Sequence, residues 1–404
     1  MGYTKDTIKG ISWVGLFRFF TRIIALLRTV ILARIFNPAQ FGVFGVASLV
    51  LALVEILTDT GINVFLVQAK GDGKKYLNTA WFVSIIRGII IGLIIFITSW
   101  LTVSFFNSQS ALGLIMLISV VPVIRGFINP AIAFFQKELA FKKEFYFKSL
   151  VFLSDSIISI ILALLTRNIY SLVIGMIVAA VFEVIFSFIY VSIKPKFTFD
   201  RKHFDIILHS GKWVTAAGVF NYIFSNLDSI VVGRLLGTYS LGLYQMAYKI
   251  SVNPLTELSD ILSRVTFPVY VKISSDKKRT KNAFIKSLVS IMFIAIPLAI
   301  IGFYFADIIV NLLLGSKWVS TVPVFRILII FGAIRTILGY ASSLFLGFNK
   351  QKYVTLVTFV GLIGLAIFIY PLTINFGIVG AAYSALIGAL FTAPLFVLLV
   401  RKLL

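Results

Sequence analysis

The sequence predicts an all-α integral membrane protein: about twelve transmembrane helices in two pseudo-symmetric six-helix lobes around a central cavity. Three observations predict this. The composition is too apolar for water, the apolar stretches are each long enough to span a bilayer, and charged residues recur at bilayer depth in both halves of a repeat.

The 404 residues are 59% apolar and only 13% charged, with a mean hydropathy of +1.02. Soluble domains carry roughly 45–50% apolar and about 25% charged residues. A water-soluble core of this length could not bury so much apolar surface, so much of the solvent is lipid. Aromatic residues make up 15% of the chain, mostly Phe, which suits a lipid-facing shell. With no cysteine there is neither a disulfide framework nor a thiolate metal site. The two histidines, His203 and His209, share one connecting segment, so no histidine metal or triad site lies within the membrane. No metal site, catalytic residue or cofactor is expected. Ile8–Phe36 is too long and too rich in Arg for a cleavable leader, and reads as the first span.

Hydropathy places the spans at Ile8–Ile35, Phe41–Val67, Ala80–Phe106, Ala111–Phe135, Phe147–Thr166, Tyr170–Ile193, Lys212–Leu236, Leu241–Phe267, Ser287–Ala306, Val322–Leu346, Val354–Thr373 and Ile378–Val400. The fifth and sixth are joined only by Arg167–Ile169. The net charge of +22 could suggest nucleic acid. Its distribution argues otherwise, because Lys and Arg crowd the loops of one side. That side holds Lys70, Lys74 and Lys75, then Lys142 and Lys143, then Lys194–Lys202, then Lys277–Lys281. The other side holds Arg34, Arg167, Arg234 and Lys317. The positive-inside rule therefore expects a multi-pass protein of the inner or plasma membrane with both termini cytoplasmic, and no nucleic-acid partner. The outer loops Asn107–Ser110 and Ile374–Gly377 are tight turns.

The two halves resemble each other. Trp13 matches Trp213, Arg34 matches Arg234, and Gly42 matches Gly242. Ala33–Ala47 aligns with Gly233–Ala247, and Val123–Lys143 aligns with Ala333–Tyr353, which pairs Arg125 with Arg335. Both halves start on the same side, so the repeat is parallel and its axis runs along the membrane normal. The expected organisation is a first lobe over 1–193, an amphipathic cytoplasmic linker over 194–211, and a second lobe over 212–404.

Ionised groups within spans narrow the function. An exposed charge at mid-bilayer costs at least about 2.5–3.5 kcal/mol, and net stability is only about 5–15 kcal/mol. The many in-span charges must therefore be paired, snorkelled or facing a polar cavity. The candidate anion-binding residues are Arg18, Arg22, Arg28, Arg87, Arg125, Lys249 and Arg335. Arg18, Arg22 and Arg28 lie on the first helix, which carries no acid, and the guanidinium fork suits phosphate or carboxylate. The competing reading pairs these arginines with Glu55 and Asp59 of the next helix, and Lys249 with Glu257. The acids Glu55, Asp59, Asp228, Glu257 and Asp260 are candidates for binding a coupling proton or sodium ion, or for holding Arg statically. Asp155 and Glu183, each alone on its helix, are expected to tie helices five and six to a neighbour. No GxxxxGK[ST] loop, nucleophile elbow or HExxH is present.

The opening KGISWVGLFRFFTRIIALLRTVILARIFNPAQFGVFGVASLVLALVEILTDTGI (Lys9–Ile62) resembles the multidrug/oligosaccharidyl-lipid/polysaccharide exporter superfamily. Within it, the resemblance is to the polysaccharide transporter branch of Wzx-type flippases. The Trp–aromatic–Arg helix, the turn FNPAQFGVFGVA with its counterpart LGTYSLGLYQMA, and the segment TFPVYVKI (Thr266–Ile273) carry it. The resemblance implies alternating access by two lobes. The implied cargo is a polyprenyl-diphosphate-linked oligosaccharide, moved from the cytoplasmic to the outer leaflet, with Arg18, Arg22, Arg125 and Arg335 matching cavity cations. It also implies the lipid bilayer and glycan polymerase machinery as partners and a monomeric state. Two alternatives stand beside it. A cation-coupled multidrug exporter of the same superfamily would favour an acidic first lobe, and a membrane glycan polymerase or ligase would need catalytic outer loops.

Overall fold

The computed structural model describes residues 20–58, 61–68, 73–138 and 140–404. The described residues contain helices and turns and no strand. Arg18 and Asp59 lie outside them. Contacts divide the chain into a first unit ending at Ile223 and a second unit, Phe224–Leu404.

In the first unit, α1 (20–35) is followed by α2 (Pro38–Leu57). The sequence FNPAQ dictates the start of α2. The Asn37 side chain accepts from the Gln40 backbone N–H, the Gln40 side chain accepts from the Asn37 N–H, and Pro38 occupies the first turn. The predicted span Phe41–Val67 is corrected to two helices, α2 and the short α3 (Ile62–Gln68). The break comes at Thr58, whose φ/ψ leaves the helix, and at Gly61, which takes φ 61°. The fourth predicted span, Ala111–Phe135, is likewise shortened. It is made of α6 (Leu112–Ile118) and α7 (Val120–Gly126), after α4 (Leu77–Ile97) and α5 (Ser99–Phe106). Pro130 then opens a 3₁₀ turn that leads into α8 (Phe134–Lys137).

Glycine lets α4 lie close to α7. A Cβ on Gly88 would stand 2.4 Å from the Pro122 carbonyl oxygen and 3.0 Å from the Gly126 Cα. The unit closes with the hairpin of α9 (Phe141–Thr166) and α10 (Tyr170–Tyr190), turned at Arg167 with φ 50° where a short turn is expected. At one end α3, α8 and the Pro130 turn bury Leu66, Leu77, Phe134 and Phe135 in a small apolar cluster.

Helix α11 (Arg201–Ile273) belongs to both units and breaks at Gly237, with φ 79°. The contact boundary lies inside it, later in the chain than the expected linker. The reason is local: the Tyr222 hydroxyl donates to the Leu49 carbonyl at 2.7 Å, holding the first arm of α11 against α2.

The second unit continues with α12 (Lys277–Tyr304), α13 (Ala306–Leu313), α14 (Val322–Gly347) and α15 (Gln351–Leu403). Helix α15 breaks at Gly377, φ 60°, within the predicted tight turn. The hydroxyls of Tyr270 and Tyr340 meet at 2.6 Å, and Phe284 stacks on Tyr340. Among the described residues, eight helical stretches are long and apolar enough to cross a membrane, and one of them, Gln351–Leu403, is bent in two. Together with the two arms of α11 and with α1, they agree with an all-α bundle of about twelve spans.

Candidate functional site

In each unit, one of the two arginines aligned in the repeat, Arg125 and Arg335, sits among side chains from other helices. In the first unit, Arg125 on α7 lies between two carboxylates. Its Nη1 is 3.8 Å from Glu55 on α2, and its Nε is 3.5 Å from Glu183 on α10. Arg87 on α4 donates through Nη2 to the Glu55 backbone carbonyl at 2.7 Å. Three residues proposed separately from sequence, Glu55, Arg87 and Arg125, thus form one cluster with Glu183.

Arg28 has a different setting. Its guanidinium holds Asp155 through two hydrogen bonds, 2.5 Å and 3.1 Å long, and donates to Ser159 at 3.0 Å. Both partners are mostly buried, at 17% and 18% side-chain exposure. This fork ties α1 to α9. As expected from sequence, both Asp155 and Glu183 fasten their helices to a neighbour. Arg22 is exposed on α1.

In the second unit, Arg335 on α14 lines a cavity of about 150 Å³. That volume equals the liquid share of about five water molecules. The guanidinium lies over the rings of Phe224, 5.6 Å from the centroid, and Phe331, 5.7 Å away. Both rings line the same cavity. The Arg335 Nη1 also donates to the Tyr248 hydroxyl. No carboxylate among the described residues lies within ion-pair distance of Arg335. The side chains of Ser225, Ser342, Thr358 and Thr392 add hydroxyls to a wall otherwise largely apolar.

Asp228 lines this cavity and is 5% exposed. One of its oxygens accepts from the Tyr244 hydroxyl at 2.8 Å, and the other from the Ser229 N–H at 2.7 Å. Every buried carboxylate requires such donors. Lys249 and Asp260 are exposed on the second arm of α11, and Glu257 is half-buried there. The residues missed from sequence are Tyr244, Tyr248, Phe224 and Phe331. A signal existed for the first two, since Tyr244 and Tyr248 are four apart and share a helix face. The rings flanking Arg335 had none, because Phe is common throughout the chain.

The chain matches the polysaccharide biosynthesis protein family over residues 31–323. It is 30% identical to an uncharacterized membrane protein in the cps region of Klebsiella pneumoniae, over 96% of this chain and 80% of that protein. It is 28% identical to the lipopolysaccharide biosynthesis protein WzxC of Escherichia coli (strain K12), over 85% of this chain and 70% of that one. Among solved structures, the lipid II flippase MurJ in an inward closed conformation aligns with TM-score 0.81 and 17% identity, covering 96% of this chain and 87% of MurJ. An inward-facing multidrug resistance MATE family transporter of the MOP superfamily aligns with TM-score 0.69 and 17% identity, covering 95% and 94%. The structural likenesses establish a shared fold. The chain therefore belongs to the polysaccharide biosynthesis protein family.

Proposed function

We propose that this protein is a flippase that moves a polyprenyl-diphosphate-linked oligosaccharide from the cytoplasmic to the outer leaflet by alternating access. It is a transporter rather than an enzyme. The observation that carries the reading is Arg335, a guanidinium on a helix long and apolar enough to span the bilayer, lining a cavity whose one carboxylate, Asp228, is held by the Tyr244 hydroxyl and the Ser229 N–H rather than by an ion pair to it. A permanent cation in a low-dielectric site favours an anionic ligand, and the surrounding hydroxyls suit a phosphate or sugar. The names of relatives support the cargo class, since WzxC is a lipopolysaccharide biosynthesis protein. A MATE-like cationic cargo would meet the wrong charge at Arg335.

Arg18, Arg22, Arg87, Arg125 and Lys249 are the further proposed anion-binding residues, while Arg28 has its fork occupied by Asp155. Glu55, Asp59, Asp228, Glu257 and Asp260 are the proposed sites for a coupling proton or sodium ion. The proposed setting is the inner or plasma membrane, with both termini in the cytoplasm, the protein acting as a monomer beside glycan polymerase machinery.

Deletion of the gene tests the reading. Loss of surface glycan with build-up of its lipid-linked repeat unit is expected, and an Arg18→Ala/Arg22→Ala variant at normal membrane level is expected to restore little. Drug sensitivity with intact surface glycan would contradict the proposal and favour the multidrug alternative.

A further inference from the structure

The segment between α10 and α11 crosses the end of the first unit as a strap, and it is pinned there. The Asn129 side chain donates to the Ile193 carbonyl at 2.7 Å. The Lys196 N–H donates to the Asn78 side chain at 2.8 Å, and the Asp200 N–H donates to the Thr79 hydroxyl at 3.2 Å. Asn78 and Thr79 stand in the first turn of α4, and the strap leaves the end of α10 at Val191. Both helices are long and apolar enough to cross a membrane. The strap therefore lies at the level where two spans leave the bilayer.

Its composition is divided by direction. Phe197 packs edgewise and tilted on Trp81 and Phe82, and Phe199 packs on Phe82 and Phe204. Even so, Phe197 is 60% and Phe199 50% exposed. Interleaved with them, Lys194, Lys196, Arg201 and Lys202 are exposed. Lys74 and Lys75 lie just before α4, with Lys75 over the Tyr76 ring, which packs edgewise on His203. Against these cations stands the carboxylate of Asp200, which caps α11 by accepting from the His203 N–H, and that of Asp205.

We infer that this strap is a binding surface for anionic phospholipid headgroups. Its two exposed Phe rings enter the interfacial zone, and its Lys and Arg side chains hold the phosphates. Phe side chains on interfacial segments bury at the boundary of headgroups and acyl chains. Basic residues beside a span attract acidic lipid headgroups. Hydrogen bonds from both ends of the strap fix its backbone, so the cations are presented without a large ordering cost.

The test uses the full chain, which contains no cysteine. A Thr198→Cys variant carrying an environment-sensitive dye is reconstituted in phosphatidylcholine vesicles containing equal small fractions of brominated phosphatidylglycerol or brominated phosphatidylcholine. Quenching by the acidic lipid is expected to exceed that by the neutral one by about tenfold in relative binding constant, and to weaken with salt. Adding Lys194→Gln, Lys196→Gln, Arg201→Gln and Lys202→Gln should abolish the preference, whereas Lys→Arg at the same lysines should keep it. The control Lys277→Gln/Lys278→Gln/Arg279→Gln/Lys281→Gln, in the first turns of α12, should leave it unchanged. Equal quenching by the two lipids, or a preference that survives the four Gln substitutions, overturns the inference. A dye reached by aqueous iodide and by neither lipid also overturns it, and indicates a face open to a soluble protein.

Discussion

Arg125 and Arg335 occupy matching places in the repeat but differ in their neighbours. Arg125 stands between Glu55 and Glu183, and Arg335 stands between two Phe rings and a Tyr hydroxyl. Substituting the first removes a counter-charge from two carboxylates, so Arg125→Ala should lower stability. Substituting the second removes a charge that has no such partner among the described residues, so its effect should fall on transport. Arg28 gives the sharpest stability prediction. Asp155→Ala should cost about 1.5–3 kcal/mol, the worth of hydrogen bonds to a charged group, measured as a lower melting temperature in detergent. The Arg28→Ala/Asp155→Ala pair should cost less than the two single losses added together. Tyr244→Phe should cost about 1–3 kcal/mol by taking a donor from the buried Asp228, read by the same melting curve. The need for partners was legible in the sequence, because a charge at bilayer depth demands one. The identity of the partner was legible only in outline. Asp155 lies far from Arg28 in the chain, and only the folded path of α9 brings it there.

Helices meet where side chains are small. Gly88 and Gly126 bring α4 and α7 together, and a Cβ on Gly175 would stand 2.0 Å from the Ser159 hydroxyl oxygen, at the crossing of α9 and α10. Gly88→Val should therefore destabilise the first unit by about 1–3 kcal/mol through overpacking against backbone, seen as a loss of folded protein on size-exclusion chromatography. At Gly377, φ of 60° makes any Cβ unfavourable, and Gly377→Val should straighten or strain the turn that divides α15. The apolar stretches themselves were legible, since hydropathy needs only composition and length. The breaks were less so. The break marked by Thr58 and Gly61 falls at a short polar stretch inside a longer apolar segment, and the shortening at Gly126 comes from the Pro130 turn. Hydropathy averages over a window and passes across both, whereas backbone conformation registers each one. The turns at Arg167 and Gly377 were legible because polar or glycine residues interrupt the apolar run there.

At the scale of the molecule, the chain belongs to the polysaccharide biosynthesis protein family and is built from two compact units, with a degenerate repeat in its sequence. The repeat was visible from a few aligned positions, including the Arg125–Arg335 pairing. What the alignment could not carry was the asymmetry: Glu55 and Glu183 converge on one arginine, while Phe224 and Phe331 flank the other. On the proposed function, that difference makes Arg335 the cation on which an anionic headgroup would dock. The most direct measurement is surface-glycan display in a strain lacking the chromosomal gene and carrying Arg335→Ala, Arg335→Gln or Arg335→Lys at matched membrane levels. Ala and Gln are expected to reduce display at least about tenfold, the scale of one lost charge-assisted contact, with Lys retaining part of it. Normal display by Arg335→Ala at normal protein level would contradict the account.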